Sequence, residues 1–424
     1  MISLVEAASY RCLRYVRQPL KPFHVLVGPN ASGKTTFLDV IGFLRDVVSE
    51  GLDGALSNRT PNPQDLLFQR TGERIELAVE AQIPQELRCQ TMRPDLDAVR
   101  YQIAIGFDDT ERQLEFKAET LMLKAAAESK TAAELESLQR QLFPDPPGGP
   151  DSLLISIRQR TNKVVINKAP GGNDNFYNES KRPDEGWAPS IRLGPRKSAL
   201  GNLPADTRSF PVATWFREHL DAGVQRFMLN SRTIRRPSPP TKVAGFVPDG
   251  SNLPWVIARM REQNPERYTD WIAHLRTALP DLESIETVER EEDRHRYMIY
   301  VYANGLRVPS WLASDGTLRL TVLTLPAYLT DFQGIYLIEE PENGIHPRAV
   351  ATVYDSLSSV YEAQVLLATH SPVVLNAANT DDVLCFAKDA AGATDIVLGS
   401  EHPRLREWQG KAPLGTLLAS GVLG

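Results

Sequence analysis

Short apolar runs separated by turns open the chain. HVLV (24–27) is continuous and apolar, as in a strand covered on both faces, and it runs into GPNASGKTT (28–36). Phe37, Ile41, Leu44 and Val48 then recur at helical spacing and predict an amphipathic helix. IELAVEAQI (75–83) and YQIAIGF (101–107) alternate apolar and polar positions, which predicts antiparallel strands with one wet face. From residue 118 the pattern changes: residues 118–142 are rich in Ala, Glu, Lys and Leu, predicting a helix that FPDPPGGP (143–150) breaks. Residues 151–250 read as loop-heavy. LPWVIARMREQ (253–263) and YTDWIAHLRTAL (268–279) predict helices, and YMIYVY (297–302) a strand. IYLI (335–338) and VLLA (365–368) are short and continuously apolar, as in a parallel sheet covered on both sides. No internal repeat is visible. The layout predicts a domain split between residues 1–117 and 301–424, with 118–300 inserted between its halves.

Within 28–36, Gly28, Gly33, Lys34 and Thr35 fit G-x-x-x-x-G-K-[ST], placed between a predicted strand and a predicted helix as that motif requires. Gly28, Pro29, Asn30, Ala31, Ser32, Gly33, Lys34, Thr35 and Thr36 are therefore candidate phosphate-binding residues. Backbone N–H groups and the positive end of the following helix would surround the phosphates, Lys34 would reach the β- and γ-phosphates, and Thr35 would ligate Mg²⁺. The plainer alternative is a chance Gly-Lys turn.

The run at 335–338 ends on two adjacent carboxylates, Glu339 and Glu340, whose like charges repel. A phosphate loop beside this strand would give the pair a purpose. Glu339 would face Mg²⁺, and Glu340 would orient or deprotonate an attacking water. Aspartate is more usual at the first position, and the extra methylene of Glu339 alters its reach to a metal. Two solvated acids at a strand exit is the simpler reading. Ser314-Asp315-Gly316 precedes a helical stripe of Leu318, Val322, Leu325 and Leu329, so Ser314 reads as an N-cap whose helix tip could also grip a phosphate of another subunit. Thr369-His370-Ser371 closes the VLLA strand, and His370 is a candidate catalytic residue rather than a structural one because it follows the paired glutamates.

Composition narrows the field. At 424 residues, 42% hydrophobic and 24% charged, the chain is ordinary globular material with room for two or three units. A net charge of −6 argues against nonspecific coating of nucleic acid. Three scattered cysteines, Cys12, Cys89 and Cys385, form no metal-spaced cluster or disulfide framework and suit a reducing cytoplasm. No apolar run approaches the roughly 20 residues that span a bilayer, which predicts no membrane insertion and disfavours a transporter subunit. Loop clusters hold Arg192, Arg196, Lys197, Arg232, Arg235 and Arg236, either solvated surface or a nucleic-acid contact.

Together GPNASGKTT, LASDGTLR, IYLIEEPENGIHP and ATHSP resemble, in order, the conserved stretches of ABC-type ATPases of the SMC/RecF/OLD class, especially AAA-labelled ATPases of bacterial phage-defence operons. DGSNLPWVIARM (249–260) is similar to a segment of their inserted lids. The resemblance implies a P-loop ABC-type α/β domain: a mixed sheet flanked by helices, an antiparallel β subdomain, and a large α-rich inserted lid. It implies ATP and Mg²⁺, hydrolysis through Glu340, His370 at the γ-phosphate, and a head-to-tail homodimer or higher assembly. In that dimer Ser314 and Gly316 contact the ATP held by the partner, and Asn343 and Gly344 form the loop crossing the interface. The signature departs from the family's LSGGQ, with Asp315 near the first glycine and Leu318 where glutamine is common. Gln69 is the candidate glutamine of the metal-contacting loop, and Arg11 a candidate near the nucleotide. The resemblance also implies a switch in defence controlling a co-encoded effector such as a nuclease or toxin, since the 54 residues after His370 (424 − 370) hold no acidic cluster of the OLD nuclease kind. A RecF-like clamp on DNA and a scaffold that uses ATP only to dimerise remain open.

Overall fold

The computed structural model describes residues 1–108, 113–126, 142–157, 159, 161–180, 189–240, 245–408 and 413–421. The first strands are β1 (Ile2–Tyr10), β2 (Leu13–Pro19) and β3 (Phe23–Val27), followed by α1 (Lys34–Ser57). Then come β4 (Arg74–Gln82), β5 (Ala98–Phe107), β6 (Leu114–Lys124), β7 (Lys163–Lys168), β8 (Asp174–Phe176) and β9 (Ser190–Ile191). Next are α2 (Pro211–Asp221), β10 (Val224–Arg226), α3 (Leu253–Gln263), α4 (Pro265–Arg276), β11 (Leu282–Glu289), β12 (Arg296–Tyr302) and β13 (Arg307–Pro309). The last third holds α5 (Asp315–Thr324), β14 (Ile335–Glu339), α6 (Pro347–Ser358), β15 (Gln364–Ala368), α7 (Pro372–Ala377), β16 (Val383–Lys388) and β17 (Thr394–Leu398).

The strands form three sheets. An antiparallel sheet runs β2-β1-β4-β5-β6-β7-β8-β9, and a small antiparallel sheet runs β11-β12-β13. The six-stranded sheet runs β10-β14-β15-β3-β16-β17, parallel throughout except for β17. Its strands are buried on both faces because alternate side chains enter different cores. Leu26, Leu366 and Leu337 join α1 and the antiparallel sheet, while Val25, Val27, Leu367 and Ile338 meet α3 to α6 on the other side. The layers are thus antiparallel sheet, α1 with α2, six-stranded sheet, and outer helices. Phe37, Ile41, Leu44 and Val48 all lie buried on α1 as their spacing predicts.

Three expectations change. The Ala- and Glu-rich segment from 118 is strand, not helix, up to Lys124, because pairing with β5 and burial outweigh local helix propensity; residues 127–141 lie outside the described residues. β6 therefore runs across the expected 117/118 boundary, and residues between 118 and 300 supply strands to both large sheets. The alternating strands β4 and β5 have no wet face. Their polar positions are buried as a paired network under residues 152–155. Arg100 bonds Glu80 at 2.9 Å and Glu6 at 2.5 Å, Lys124 bonds Glu80 at 3.0 Å, and Arg100 donates to the Leu153 carbonyl at 2.9 Å. Alternation in a sequence shows which positions are polar, whereas a covering segment decides whether water reaches them. Among the described residues no helix is long and apolar enough to cross a membrane.

Candidate nucleotide site

The loop between β3 and α1 is shaped by glycines. Gly28 has φ 149°, and a Cβ there would lie 2.2 Å from the Phe386 carbonyl oxygen. Gly33 has φ 110°, and a Cβ there would lie 2.3 Å from Thr394 Oγ1. Both positions exclude any larger residue by backbone geometry and by contact. Gly33 is also the N-cap of α1 and supplies no side-chain acceptor, so nothing on the cap competes for the first-turn N–H groups. Ser32 Oγ is buried without a hydrogen-bond partner among the described residues. Lys34 turns back into the loop, its Nζ donating to the carbonyls of Gly28 at 2.8 Å and Pro29 at 3.0 Å. Burial pushes its ammonium down to about 8, while Glu340 and Glu339 act in the opposite direction. An uncapped helix start, an orphaned hydroxyl and a buried ammonium together form an anion cradle.

One cavity of about 540 Å³ gathers most of the predicted residues: Asn30, Ala31, Ser32, Gly33, Lys34, Thr35 and Thr36 on the loop side, and Glu339, Glu340 and His370 opposite. Gly28 and Pro29 contribute through their carbonyls. Arg11, a candidate from the resemblance, lines the cavity too, held by Asp39 at 3.2 Å. Cys12 and Lys388 join the lining although no motif marks them.

The acidic pair sits at the end of β14. β15 lies between β14 and β3, so the glutamate strand is one strand removed from the strand that leads into the glycine loop. Glu339 nevertheless reaches across: its Oε2 accepts from Thr35 Oγ1, and its Oε1 pairs with the Arg226 guanidinium at 2.5 Å. A hydroxyl and a carboxylate converging beside an anion cradle fit a hard divalent cation, and Arg226 already places positive charge on that carboxylate. No group of three or more His, Cys, Asp or Glu side chains among the described residues could hold a metal by itself. Such an ion would therefore depend on phosphate oxygens as well. Glu340 occupies a left-handed conformation with φ 47°. Its N–H donates to the Ala368 carbonyl at 2.8 Å, and its Oε2 accepts from Asn343 Nδ2 at 2.5 Å. That strained turn directs the two neighbouring carboxylates apart, one to Thr35 and one to Asn343.

His370 is set by Glu342, which lies within IYLIEEPENGIHP but to which the sequence assigns no role. Glu342 Oε1 accepts from Thr369 Oγ1 at 2.6 Å and from the His370 N–H at 3.0 Å. Burial, and then Lys34, hold the His370 imidazole below its ordinary value, favouring the neutral ring. Besides Gly28 and Pro29, the predicted residues Gln69, Ser314, Gly316, Asn343 and Gly344 do not line the cavity. The Gln69 amide donates to the Ala391 carbonyl at 2.7 Å. Ser314 caps α5, its Oγ accepting from Thr317 N at 3.1 Å. A Cβ on Gly316 would lie 2.9 Å from the Gly344 carbonyl, so the tip of α5 packs on the turn that carries Glu340 and Asn343. Arg235 binds both the Ala313 carbonyl at 2.7 Å and Asp315 at 2.8 Å, which gives it an internal role within the basic loop cluster. Arg196 likewise pairs internally, with Asp53 and Gln113.

The fold matches solved SMC head domains. An Smc head bound to the C-winged helix domain of ScpA aligns with a TM-score of 0.54 at 15% identity, over 93% of this chain and 96% of that one. An Smc head with an extended coiled coil, bound to the C-terminal domain of ScpA derived from Pyrococcus furiosus, aligns with a TM-score of 0.53 at 14% identity, over 96% and 99%. The architecture is accordingly that of a P-loop ABC-type ATPase domain. No curated protein matches the chain. Residues 23–376 match the family described as "AAA domain, putative AbiEii toxin, Type IV TA system", and the chain belongs to that family.

Proposed function

We propose that the protein binds and hydrolyses ATP and works as a nucleotide-dependent switch. The observation that carries this reading is the convergence of the loop residues Asn30 to Thr36 with Glu339, Glu340 and His370 on a single cavity. Lys34 and the first-turn N–H groups of α1 hold the triphosphate. Thr35 and Glu339 would hold Mg²⁺, which when bound neutralises charge on the β- and γ-phosphates. Glu340 accepts a proton from the attacking water, and neutral His370 offers a hydrogen bond at the γ-phosphate. Gln69, bonded to Ala391, has no part in this set.

Ser314 and Gly316 stand apart from their own cavity, which supports a head-to-tail homodimer in which each α5 tip closes the site of the other chain. ATP joins the two copies and hydrolysis releases them. The family's description, which names an AbiEii toxin and a type IV toxin–antitoxin system, supports a role in bacterial defence. There the switch would control a separately encoded effector. In that role the protein acts in the cytoplasm.

The test is binding of a fluorescent ATP analogue, phosphate release, and mass in solution with and without ATP and Mg²⁺. Lys34→Ala is expected to lose binding. Glu340→Gln is expected to keep binding, lose hydrolysis and accumulate as dimer. Wild-type turnover in Glu340→Gln would refute the assignment of the base. Capture of the Glu340→Gln protein from its host with ATP present identifies the effector. Turnover stimulated by DNA and fading steeply with salt would instead favour a clamp.

A further inference from the structure

The paired glutamates pose a question that magnesium alone does not answer: what balances them when no metal is bound? β10 is the edge strand beyond β14 and pairs with it in parallel, Arg226 opposite Leu337. Side chains two residues apart on a strand share a face, so Arg226 and Glu339 project to the same side. The guanidinium meets Glu339 Oε1 at 2.5 Å, while Oε2 is taken by Thr35 Oγ1. Both oxygens of the carboxylate are thus engaged, one by a cation and one by the hydroxyl that the metal needs. An aspartate, one methylene shorter, has less reach to serve both partners from the end of β14. A glutamate at this position has a physical reason in that double span.

We infer that Arg226 is an internal counter-ion that holds Glu339 while the metal position is empty and yields the carboxylate to Mg²⁺ as nucleotide binds. This rests on Thr35 and Glu339 being the Mg²⁺ ligands proposed above. The exchange is feasible because the Arg226 side chain is 40% exposed, so the displaced guanidinium regains water. A buried arginine would pay a large desolvation cost once unpaired, and would resist release. The latch has two effects: it offsets the Glu339–Glu340 repulsion in the empty protein, and it raises the Mg²⁺ concentration needed to assemble the site.

The experiment measures affinity for a fluorescent ATP analogue across free Mg²⁺ concentrations, with Mg²⁺-induced thermal stabilisation as a second readout. Wild type, Arg226→Gln, Arg226→Ala and Arg226→Lys are compared in the full chain. Removing the charge is expected to lower the Mg²⁺ midpoint by about two- to fivefold, the range a half-exposed ion pair supports. Arg226→Lys, which keeps the charge, is expected to restore the wild-type midpoint. An unchanged or raised midpoint in both neutral variants overturns the latch, because a residue that merely orients Glu339 for the metal would weaken Mg²⁺ binding when removed. Loss of nucleotide binding in Lys34→Ala together with an unshifted midpoint in the Arg226 variants removes the latch alone. Nucleotide binding that ignores Mg²⁺ in the wild type removes the ligand assignment and the latch with it.

Discussion

Replacing Glu342 with alanine isolates what positions His370. The carboxylate accepts two hydrogen bonds on Oε1, from the Thr369 hydroxyl and the His370 N–H, while its Oε2 is buried without a partner among the described residues. A hydrogen bond onto a charged acceptor contributes about 1.5–3 kcal/mol. Part of that gain is offset by the desolvation of the unsatisfied Oε2, so deletion is expected to cost about 1–3 kcal/mol of stability. Glu342→Gln retains an acceptor oxygen for both donors and is expected to cost less. Because the bonds fix the turn that carries the imidazole, their loss displaces His370, and a displacement near 1 Å is expected to slow hydrolysis by up to about 100-fold. Nucleotide affinity, set on the opposite side of the cavity by Lys34 and α1, should change little. Urea denaturation gives the stability term, single-turnover phosphate release the rate, and a fluorescent analogue the affinity. Wild-type hydrolysis in Glu342→Ala would refute the positioning role. A larger loss in Glu342→Gln than in Glu342→Ala would refute the hydrogen-bond argument itself.

Other outcomes follow from the same structure. Gly28→Ala drives a Cβ against the Phe386 carbonyl and is expected to abolish nucleotide binding while circular dichroism stays native. Arg235→Ala leaves Asp315 as an unbalanced charge at the α5 tip and should weaken ATP-dependent dimerisation; the double variant with Asp315→Asn should recover it, and failure to recover would exclude a charge effect. Burial pushes His24 and His219 down to about 4, so the unfolded chain binds more protons between pH 4 and pH 6.5. Stability is therefore expected to be complete above about pH 6.5 and to fall as pH drops toward 4. His24 Nε2 accepts from the Lys21 N–H at 2.9 Å, a bond only the neutral ring can make. Thermal unfolding across pH 4–8 should show a shallower acid limb in His24→Gln.

Much of the nucleotide half was legible because its signals are local. A glycine-governed loop, a lysine at a helix start and two carboxylates ending an apolar strand announce themselves within a few residues. β3, α1, β14 and β15 appear where HVLV, the Phe37–Val48 stripe, IYLI and VLLA place them. The residues that went unmarked act across long separations. Arg226 lies 113 positions from Glu339, and Glu342 lies 28 from His370. Neither spacing follows a helix or strand period, so no sequence window contains the pair. The run from residue 118 misled for the converse reason, since its helix-forming composition is a preference of fractions of a kcal/mol per residue and pairing with β5 outweighs it.

The sequence by itself determined which chemistry the chain can carry: its candidate phosphate loop, its acid pair, and the apolar runs that must be buried in a covered sheet. Those follow from residue type and short-range period, which are complete in the sequence. Tertiary structure alone decided the strand order that inserts β15 between β3 and β14, the covering of the polar face of β4 and β5 by residues 152–155, and the cation that meets Glu339. Each depends on which distant segments pack together, and burial energy is shared across the whole core rather than encoded at any one position.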